Sequence, residues 1–301
     1  MRLQEATAGI DHELNAQLAV AVHYVHKQID TAIEDTGSLD ASGNEIYVIA
    51  NPGEGLTALA FTDPAVNLPK PKRDYDSVEF FLDKRFADNW SLRTSYLWSR
   101  LYGNYSGLSQ SDEQGRTSPN VGRLFDYPAM MFDQHGQAVF GPLATDRPHQ
   151  FKAQFIYQFN FGTAVGLNEF VASGTPVSRE IGILPTSNFP VNYLGRLSDG
   201  RTDMFSQTDL FVQHELKLGG GRRLQFQANV LNLFNQEAAT SKYSTYQKVD
   251  GVSFDEADFY AGRLDFNQLI NEQGVAVDPR FLQNNFFQAP IIARFGVKFL
   301  F

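Results

Sequence analysis

Apolar and polar residues alternate one by one along several segments of this chain. Between Gln150 and Phe159 the odd positions are all apolar or aromatic, whereas the even positions are polar except for Ile156. A period of two is the pattern of a β-strand with one apolar face, because successive side chains of a strand point to opposite sides. This segment is therefore predicted to be a strand.

The same alternation recurs along much of the chain. The further segments are Leu14–His26, Val78–Phe86, Trp90–Ser99, Asp209–Leu218, Arg223–Val230 and Ile291–Phe301, with weaker examples at Gln4–His12 and Ala164–Ala172. Each is close to the roughly 9–11 residues with which a tilted strand crosses a bilayer. The pattern predicts an all-β protein with about nine strands of this kind.

The connections between these strands alternate strictly between short and long. Short turns are predicted at Ala87–Asn89, Asn160–Gly162, Gly219–Gly221 and near Asp11–Glu13, and long polar connections at Ile29–Asp74, Tyr102–Arg147, Ser173–Met204 and Gln236–Gln288. Bacterial barrels have short periplasmic turns and longer extracellular loops in this order. We therefore predict an antiparallel transmembrane β-barrel segment, with a further short strand at Ile46–Ala50 inside the first long loop.

Composition narrows the class further. Mean hydropathy is -0.29 and no uninterrupted apolar run approaches the ~18–20 residues of a membrane helix, which excludes a helical membrane protein. The formal net charge of -9 gives no support for nucleic-acid binding, which needs a basic surface. The chain has no cysteine, which excludes disulfides, cysteine-based zinc sites and thiol nucleophiles.

Two observations keep an alternative open. A soluble antiparallel sandwich also alternates, although its loops need not sort by length onto opposite ends. The segment Met1–Glu5 is not a signal peptide, which an outer-membrane protein must have. Either the chain is a fragment of a longer protein, which we expect, or the membrane interpretation is wrong.

The last eight residues have a recognisable pattern. Arg294, Gly296, Phe299 and Phe301 occupy the positions of the C-terminal signal by which bacterial outer-membrane barrels are recognised for insertion, and the segment resembles that signal. The closing strand would present an aromatic ring at the membrane interface, and its edge needs pairing by other backbone because lipid cannot satisfy it.

Further motifs carry a family resemblance. Asn229–Asn235 resembles the "N-x-x-N-L-F-N" segment near the end of TonB-dependent receptor barrels, and Glu5–Leu14, Tyr96–Gly107 and Ser173–Pro176 are similar to the Oar-like branch of that family. The resemblance covers nearly the whole chain. It implies that residues 1–301 are the C-terminal portion of such a barrel, with the plug domain and the first half of the barrel absent, since outer-membrane transporters have about 22 strands.

The resemblance also implies a function. It predicts an outer-membrane receptor or transporter for an unknown nutrient, as a truncated fragment that is not active alone. The implied partners are outer-membrane lipid, the barrel-assembly machinery, the nutrient ligand and, only through the missing N-terminal part, the TonB system; nucleic acid is not among them. The alternative is a soluble β-rich binding or adhesion module.

No enzyme motif is present, and we predict no catalytic, cofactor-binding or metal-binding residues. His23 and His26 fall on opposite faces of one strand, which makes joint metal ligation awkward. Acidic clusters at Ser111–Glu113 and Asp255–Asp258 could bind Ca²⁺, but neither has an EF-hand pattern and solvated loop charge is favoured. The Gly219–Gly221 run is better explained as a hairpin turn than as a phosphate-binding loop.

Aromatic residues near the strand ends have two possible roles. They could stack on a ligand, but interfacial girdles at the two membrane surfaces are favoured. The residues concerned are Tyr24, Trp90, Trp98, Tyr102 and Tyr105. On the opposite strand face, Arg223, Gln225, Gln227 and Asn229 are predicted to line the barrel lumen.

Overall fold

The structure is a computed structural model dominated by β-strands. It describes residues 1–39, 42, 44–59, 65–106, 124–184 and 189–301. The strands are β1 (Arg2–Asn15), β2 (Leu18–Thr31), β3 (Glu34–Leu39), β4 (Glu45–Ala50), β5 (Arg73–Ala87), β6 (Trp90–Gly103), β7 (Gly141–Pro142), β8 (His149–Gln158), β9 (Thr163–Ala172), β10 (Ile181–Ile183), β11 (Phe189–Val191), β12 (Phe205–Gly219), β13 (Arg222–Leu231), β14 (Ala239–Lys242), β15 (Asn284–Phe287) and β16 (Ile292–Leu300).

Helical structure is short and confined to the connections between strands. The helices are α1 (Glu256–Tyr260), α2 (Phe266–Glu272) and two single 3-10 turns at Gly55–Thr57 and Pro128–Met131. Within the described ranges, no helix has the length and apolar character needed to cross a membrane.

Nine long strands form one antiparallel sheet in the order β1-β2-β5-β6-β8-β9-β12-β13-β16, with β7 added beside β6. Consecutive members of this series are neighbours, so the sheet is a continuous meander. The predicted count of nine is confirmed. The sheet does not close on itself: within the described residues, β1 and β16 each pair with a strand on one side only.

Three of the four predicted short turns are confirmed. Asp88 and Asn89 connect β5 to β6 with φ angles of 53° and 68°, the left-handed conformation that suits a tight hairpin. Asn160–Gly162 lies between β8 and β9, and the glycine run at Gly219–Gly221 lies between β12 and β13. The long connections also lie where they were predicted, and the strand expected at Ile46–Ala50 is β4.

The first turn was placed wrongly. It lies at Ala16 and Gln17, where the Asn15 side-chain oxygen accepts a hydrogen bond from the Gln17 amide at 2.9 Å. The predicted turn segment, Asp11–Glu13, is instead part of the β1 ladder opposite β2. The error has a simple origin: Leu14, Ala16 and Leu18 continue the alternation through the turn, so the pattern gives no break there.

Strand register gathers the alternating residues onto two faces. Leu92, Phe155 and Leu167 lie side by side on three neighbouring strands, and Leu224 lies opposite Phe299. The apolar face carries, from one edge to the other, Val22, Phe80, Tyr96, Phe151, Leu167, Val212, Phe226 and Phe295. The opposite face is polar, with cross-strand hydrogen bonds from Gln227 to Gln213 at 3.0 Å and from Gln225 to Glu215 at 2.8 Å. The predicted two-faced strands are confirmed.

The long connections are named here by number: loop 1 (residues 32–72), loop 2 (104–148), loop 3 (173–204) and loop 4 (232–291). All four lie at the same end of the strands, because each follows a strand that begins at a short turn. They contain the hairpins β3–β4 and β10–β11, the pair β14–β15 and both α-helices. Together they form a structure that we call the loop layer.

Candidate functional site: the packed loop layer

The loop layer has a hydrophobic core of its own, whereas the sheet presents large apolar side chains at its surface. Residues of all four loops contribute to this core. Its buried members include Ala32, Phe125, Met130, Met131, Ile181, Phe189, Tyr193, Val252, Phe259 and Phe266. The sequence pattern predicts polar connections for these loops and does not predict this core. The only signal for it was the presence of aromatic residues inside segments that lack strand alternation.

Aromatic contacts connect the loops in pairs. Tyr127 of loop 2 stacks on Phe189 of loop 3 with ring centroids 4.9 Å apart. Tyr193 of loop 3 stacks on Phe266 of loop 4 at 5.1 Å. Such ring pairs stabilise a structure beyond the area that they bury. Burial and a hydrogen bond to Glu256 of loop 4 raise the pKa of the Tyr127 hydroxyl, so this group stays neutral and donates its proton to the carboxylate.

Loops 3 and 4 are also joined through their backbones. The Glu180 amide donates to the Ser244 carbonyl at 3.0 Å, and the Tyr246 amide donates to the Glu180 carbonyl at 2.8 Å. Gly182 and Val252 continue the contact with a hydrogen bond of 3.0 Å. A Cβ atom at Gly251 would lie 1.9 Å from the Gly182 carbonyl oxygen, so this close approach requires glycine. Loops 3 and 4 are thus joined by two separate parallel bridges, Glu180 with Thr245 and Ile183 with Val252.

Ion pairs connect the loops to one another, and Asp146 also joins the base of the layer to the sheet. Asp146, at the end of loop 2, is 3% exposed. Its carboxylate accepts a hydrogen bond from the Leu101 amide at 2.7 Å and pairs with the Arg201 guanidinium at 2.5 Å. Arg201 therefore connects loop 3 to the base of loop 2. Arg179 binds Asp199 at 2.7 Å within loop 3 and lies over the ring of Phe281 in loop 4 at 4.9 Å. Arg179 is thus a second connection between loops 3 and 4.

The Asn229–Asn235 motif forms the junction between β13 and loop 4. Asn232 and Asn235 both adopt left-handed backbone with φ of 52° and 51°, a conformation that asparagine tolerates better than most residues. The Asn232 side-chain amide donates to the carbonyls of Gln236 at 3.0 Å and Ala289 at 2.8 Å, and the Asn235 side chain accepts from the Ile291 amide at 3.0 Å. The two asparagines hold together the start and the end of loop 4.

The four predicted insertion-signal residues lie on or directly after the final strand. Arg294 and Gly296 lie opposite Asn229 and Gln227 on the polar face, whereas Phe299 is on the apolar face. Phe301 follows the strand, is 99% exposed and lies 6.1 Å from the Phe299 ring. A Cβ atom at Gly296 would meet Gln227 at an ordinary distance of 3.9 Å, so local packing does not require glycine there. The role of these residues as a signal stays a prediction.

The histidines and acidic clusters have structural partners. His23 and His26 lie on opposite faces and contact Asp11 at 3.2 Å and Asp76 at 2.8 Å. Asp255 caps α1 by accepting the Asp258 amide at 3.0 Å. Where the structure describes the chain, no three His, Cys, Asp or Glu side chains are arranged to hold a metal ion. The other predicted cluster, Ser111–Glu113, lies outside the described residues.

The aromatic predictions divide into two groups. Trp90 is next to the β5–β6 turn. Trp98 and Tyr102 lie toward the loop end of β6, and Tyr24 lies in the middle of β2, all three on the apolar face. Their role as membrane girdles stays a prediction. The girdle prediction for Tyr105 is wrong: this residue is 3% exposed and packs against Phe125 in the loop core. Its position just beyond a strand end made it look like an interfacial residue.

Comparison with known proteins agrees with this architecture. The family model described as "Outer membrane beta barrel domain" matches residues 1–175. The TonB-dependent transporter Oar of Myxococcus xanthus is 30% identical over 315 residues, which cover 99% of this chain and 28% of that protein. The chain therefore spans a little over a quarter of the length of this relative.

Solved structures with similarity to the chain include two proteins of Escherichia coli. The outer membrane transporter YddB is 12% identical with a TM-score of 0.47, and the match covers 80% of this chain and 29% of the YddB chain. The ferric-catecholate import receptor Fiu is 13% identical with a TM-score of 0.42, covering 80% and 25%.

The family match extends over more than half of the chain. The matched residues contain the first six of the nine long strands of the sheet. Alternating strands, a two-faced antiparallel sheet and loops sorted by length are the features that this family requires. The chain belongs to the outer membrane β-barrel domain family, and its place is the bacterial outer membrane.

Proposed function

We propose that residues 1–301 are the C-terminal portion of the barrel of a TonB-dependent outer-membrane receptor that binds or imports a nutrient. The observation that carries the proposal is the 30% identity to the TonB-dependent transporter Oar along 99% of this chain. Energy coupling to TonB would act through parts of such a receptor outside these residues. The relatives named above are transporters and receptors, and we propose a non-enzymatic role for this chain as well.

The apolar face of the sheet supports an assignment to lipid. Phe226, Phe295 and Phe80 are 43%, 83% and 47% exposed, which would be unfavourable over so large an area in water. We propose that this face contacts hydrocarbon and that the polar face with Gln225 and Gln227 lines the lumen. The loop layer then lies on the extracellular side, where it would meet the ligand first.

We further propose that the barrel-assembly machinery recognises Arg294, Gly296, Phe299 and Phe301. Two observations support this role. Phe299 and Phe301 are exposed, and β16 is an edge strand of the described sheet, so that its backbone can pair with a partner. Deleting Phe301 should reduce the fraction of chain inserted in the outer membrane. The control is deletion of Gly220, an exposed residue of the turn between β12 and β13, which should have a much smaller effect.

Nutrient uptake tests the receptor function. A bacterium that carries the intact gene should take up one or more nutrients that are left in the medium both by a strain lacking this gene and by a strain lacking TonB. Identical uptake profiles in all three strains would contradict the proposal. Fractionation tests the location independently, since recovery of the native chain in the aqueous phase without detergent would support a soluble binding module instead.

A further inference from the structure

Glu34 is a buried carboxylate at the base of the β3–β4 hairpin in loop 1. The residue is 7% exposed, and its Oε2 atom is buried with no hydrogen-bond partner. Two further buried oxygens near it, the Thr36 hydroxyl and the Tyr105 hydroxyl, also have no partner in the described part of the chain. A buried polar atom without a partner destabilises the state that buries it, and a charged one does so most strongly.

The surroundings of Glu34 are acidic. Burial is the main cause that raises the pKa of Glu34, and the charges of Asp35 and Asp126 raise it further, to about 7. Asp35 is the next residue of the hairpin, and Asp126 belongs to loop 2. Burial is the main cause that raises the pKa of the Tyr105 hydroxyl in loop 2. The charge of Glu34 raises this pKa further, and the Arg73 guanidinium of β5 lowers it. The Glu34 side chain is therefore most stable in place when it carries a proton.

The hairpin that carries Glu34 lies against loop 2. In the described ranges, its backbone connection to another loop is the hydrogen bond from the Gly37 amide to the Phe125 carbonyl at 3.0 Å. A Cβ atom at Gly37 would lie 2.3 Å from the Asp126 carbonyl oxygen, so the two segments are in close contact. Loops 3 and 4, in contrast, share several backbone hydrogen bonds and the Arg179 contact.

We propose that Glu34 is a proton-dependent latch that holds the β3–β4 hairpin against loop 2. With the carboxyl group neutral, the hairpin stays packed on the Phe125–Asp126 segment. When the proton is lost, the buried charge beside Asp35 and Asp126 favours an arrangement in which the carboxylate reaches water. The hairpin would then move away from the loop layer, which changes the extracellular surface near loop 2.

Linkage fixes the direction of the pH effect. The packed form binds the proton more tightly than an open form, in which the pKa of Glu34 returns toward its ordinary value of 4.5. The packed form is thus fully favoured below that value and loses its advantage as pH rises toward about 7, with no further change above. Between these limits the ratio of packed to open molecules should fall by up to about tenfold per pH unit.

Distance measurements between spin labels test the latch. Because the chain has no cysteine, Ile49→Cys and Gln137→Cys introduce two unique labelling sites, both at exposed positions of the hairpin and of loop 2. The full chain in detergent micelles should give a narrow, short distance distribution at pH 5. At pH 8 the distribution should gain a longer component, with a transition midpoint above the ordinary range of a glutamate.

Two variants make the test specific. Glu34→Gln should keep the short distribution at both pH values, because its side chain cannot ionise. Asp35→Asn, which changes an exposed neighbour, should keep a pH response with a somewhat lower midpoint. A distribution that is independent of pH in the unsubstituted labelled chain would overturn the latch, as would a full pH response in Glu34→Gln. If Glu34→Gln does not assemble, the unsubstituted labelled chain still decides, because a distribution that stays short from pH 5 to pH 8 overturns the latch.

Discussion

The sheet and the loop layer of this chain place their apolar residues in opposite ways. In the loop layer, side chains such as Phe259 and Tyr193 are completely enclosed by other protein residues. In the sheet, Phe226 and Phe295 stand exposed on one face while polar residues on the other face bond across strands. On the proposal that the exposed apolar face contacts lipid, the two regions place the same residue types in opposite positions because one is surrounded by water and the other by hydrocarbon.

The largest effect is expected from removing a ring in the loop core. Phe259→Ala leaves a cavity among Phe254, Tyr260 and Phe266, whose ring centroids lie within 5.9 Å of the Phe259 ring centroid. Such a truncation costs about 3–5 kcal/mol. Hydrogen exchange of the backbone amides in loops 2–4 should accelerate by about two to four orders of magnitude, whereas amides of the sheet should be unaffected.

The matched control for this truncation is Phe234→Ala, because Phe234 is 69% exposed. It should leave exchange in the loops nearly unchanged. If Phe259→Ala unfolds the sheet together with the loops, the separation of the molecule into two differently stabilised regions is wrong.

A charge on the apolar face should have the next largest effect. Phe226→Arg is expected to reduce the stability of the membrane-inserted state by about 2–4 kcal/mol near the midplane, and Phe155→Arg should behave similarly. Gln225→Arg, one residue away on the polar face, should be mild. The measurement is the fraction of folded chain in outer-membrane preparations, followed by heat-dependent mobility in gel electrophoresis. Equal losses for Phe226→Arg and Gln225→Arg would show that the two faces are assigned incorrectly.

A smaller effect is expected where the two regions meet. Asn232 is 2% exposed and its side chain bonds to both Gln236 and Ala289. Asn232→Ala removes these bonds and should cost about 1–3 kcal/mol, seen as faster exchange at both ends of loop 4.

Asn232→Gly separates the two contributions of this asparagine. Glycine accepts the φ of 52° without strain but cannot form the side-chain bonds. If the bonds hold loop 4 in place, the glycine variant should show most of the loss. A glycine variant as stable as the unsubstituted chain would show that backbone conformation, and not bonding, is the reason for asparagine at this position.

Sequence patterns predicted the sheet well because its determinants are local. Alternation at Phe151, Phe155 and Tyr157 identifies the apolar face of β8 from the residues of that strand alone. A short turn such as Asp88–Asn89 shows that the two strands it connects, β5 and β6, are neighbours in the sheet. The pattern failed at Ala16 and Gln17, where the turn keeps the alternation in phase. A period-two signal reports which side a residue points to, but it does not report where the chain reverses.

The loop layer could not be predicted in the same way. Tyr127 and Phe189 are far apart in sequence, as are Asp146 and Arg201, and nothing in their neighbourhoods indicates that they meet. Tyr105 illustrates the difficulty, since its position beside a strand end suggested a membrane girdle although its ring is buried in the loops. The burial of Glu34 was also invisible, because a glutamate in a polar loop is ordinarily solvated.

The amino-acid sequence alone determined the strand class, the two faces of the sheet and the division into short turns and long loops, because these depend on the order of residues within one element. Only the tertiary structure decided that the loops pack into a layer with its own core and that Asn232, Arg201 and Glu34 lie at its junctions. Those features depend on contacts between segments that are distant along the chain. Such contacts form only when the sheet has brought the ends of the loops together at one end of its strands.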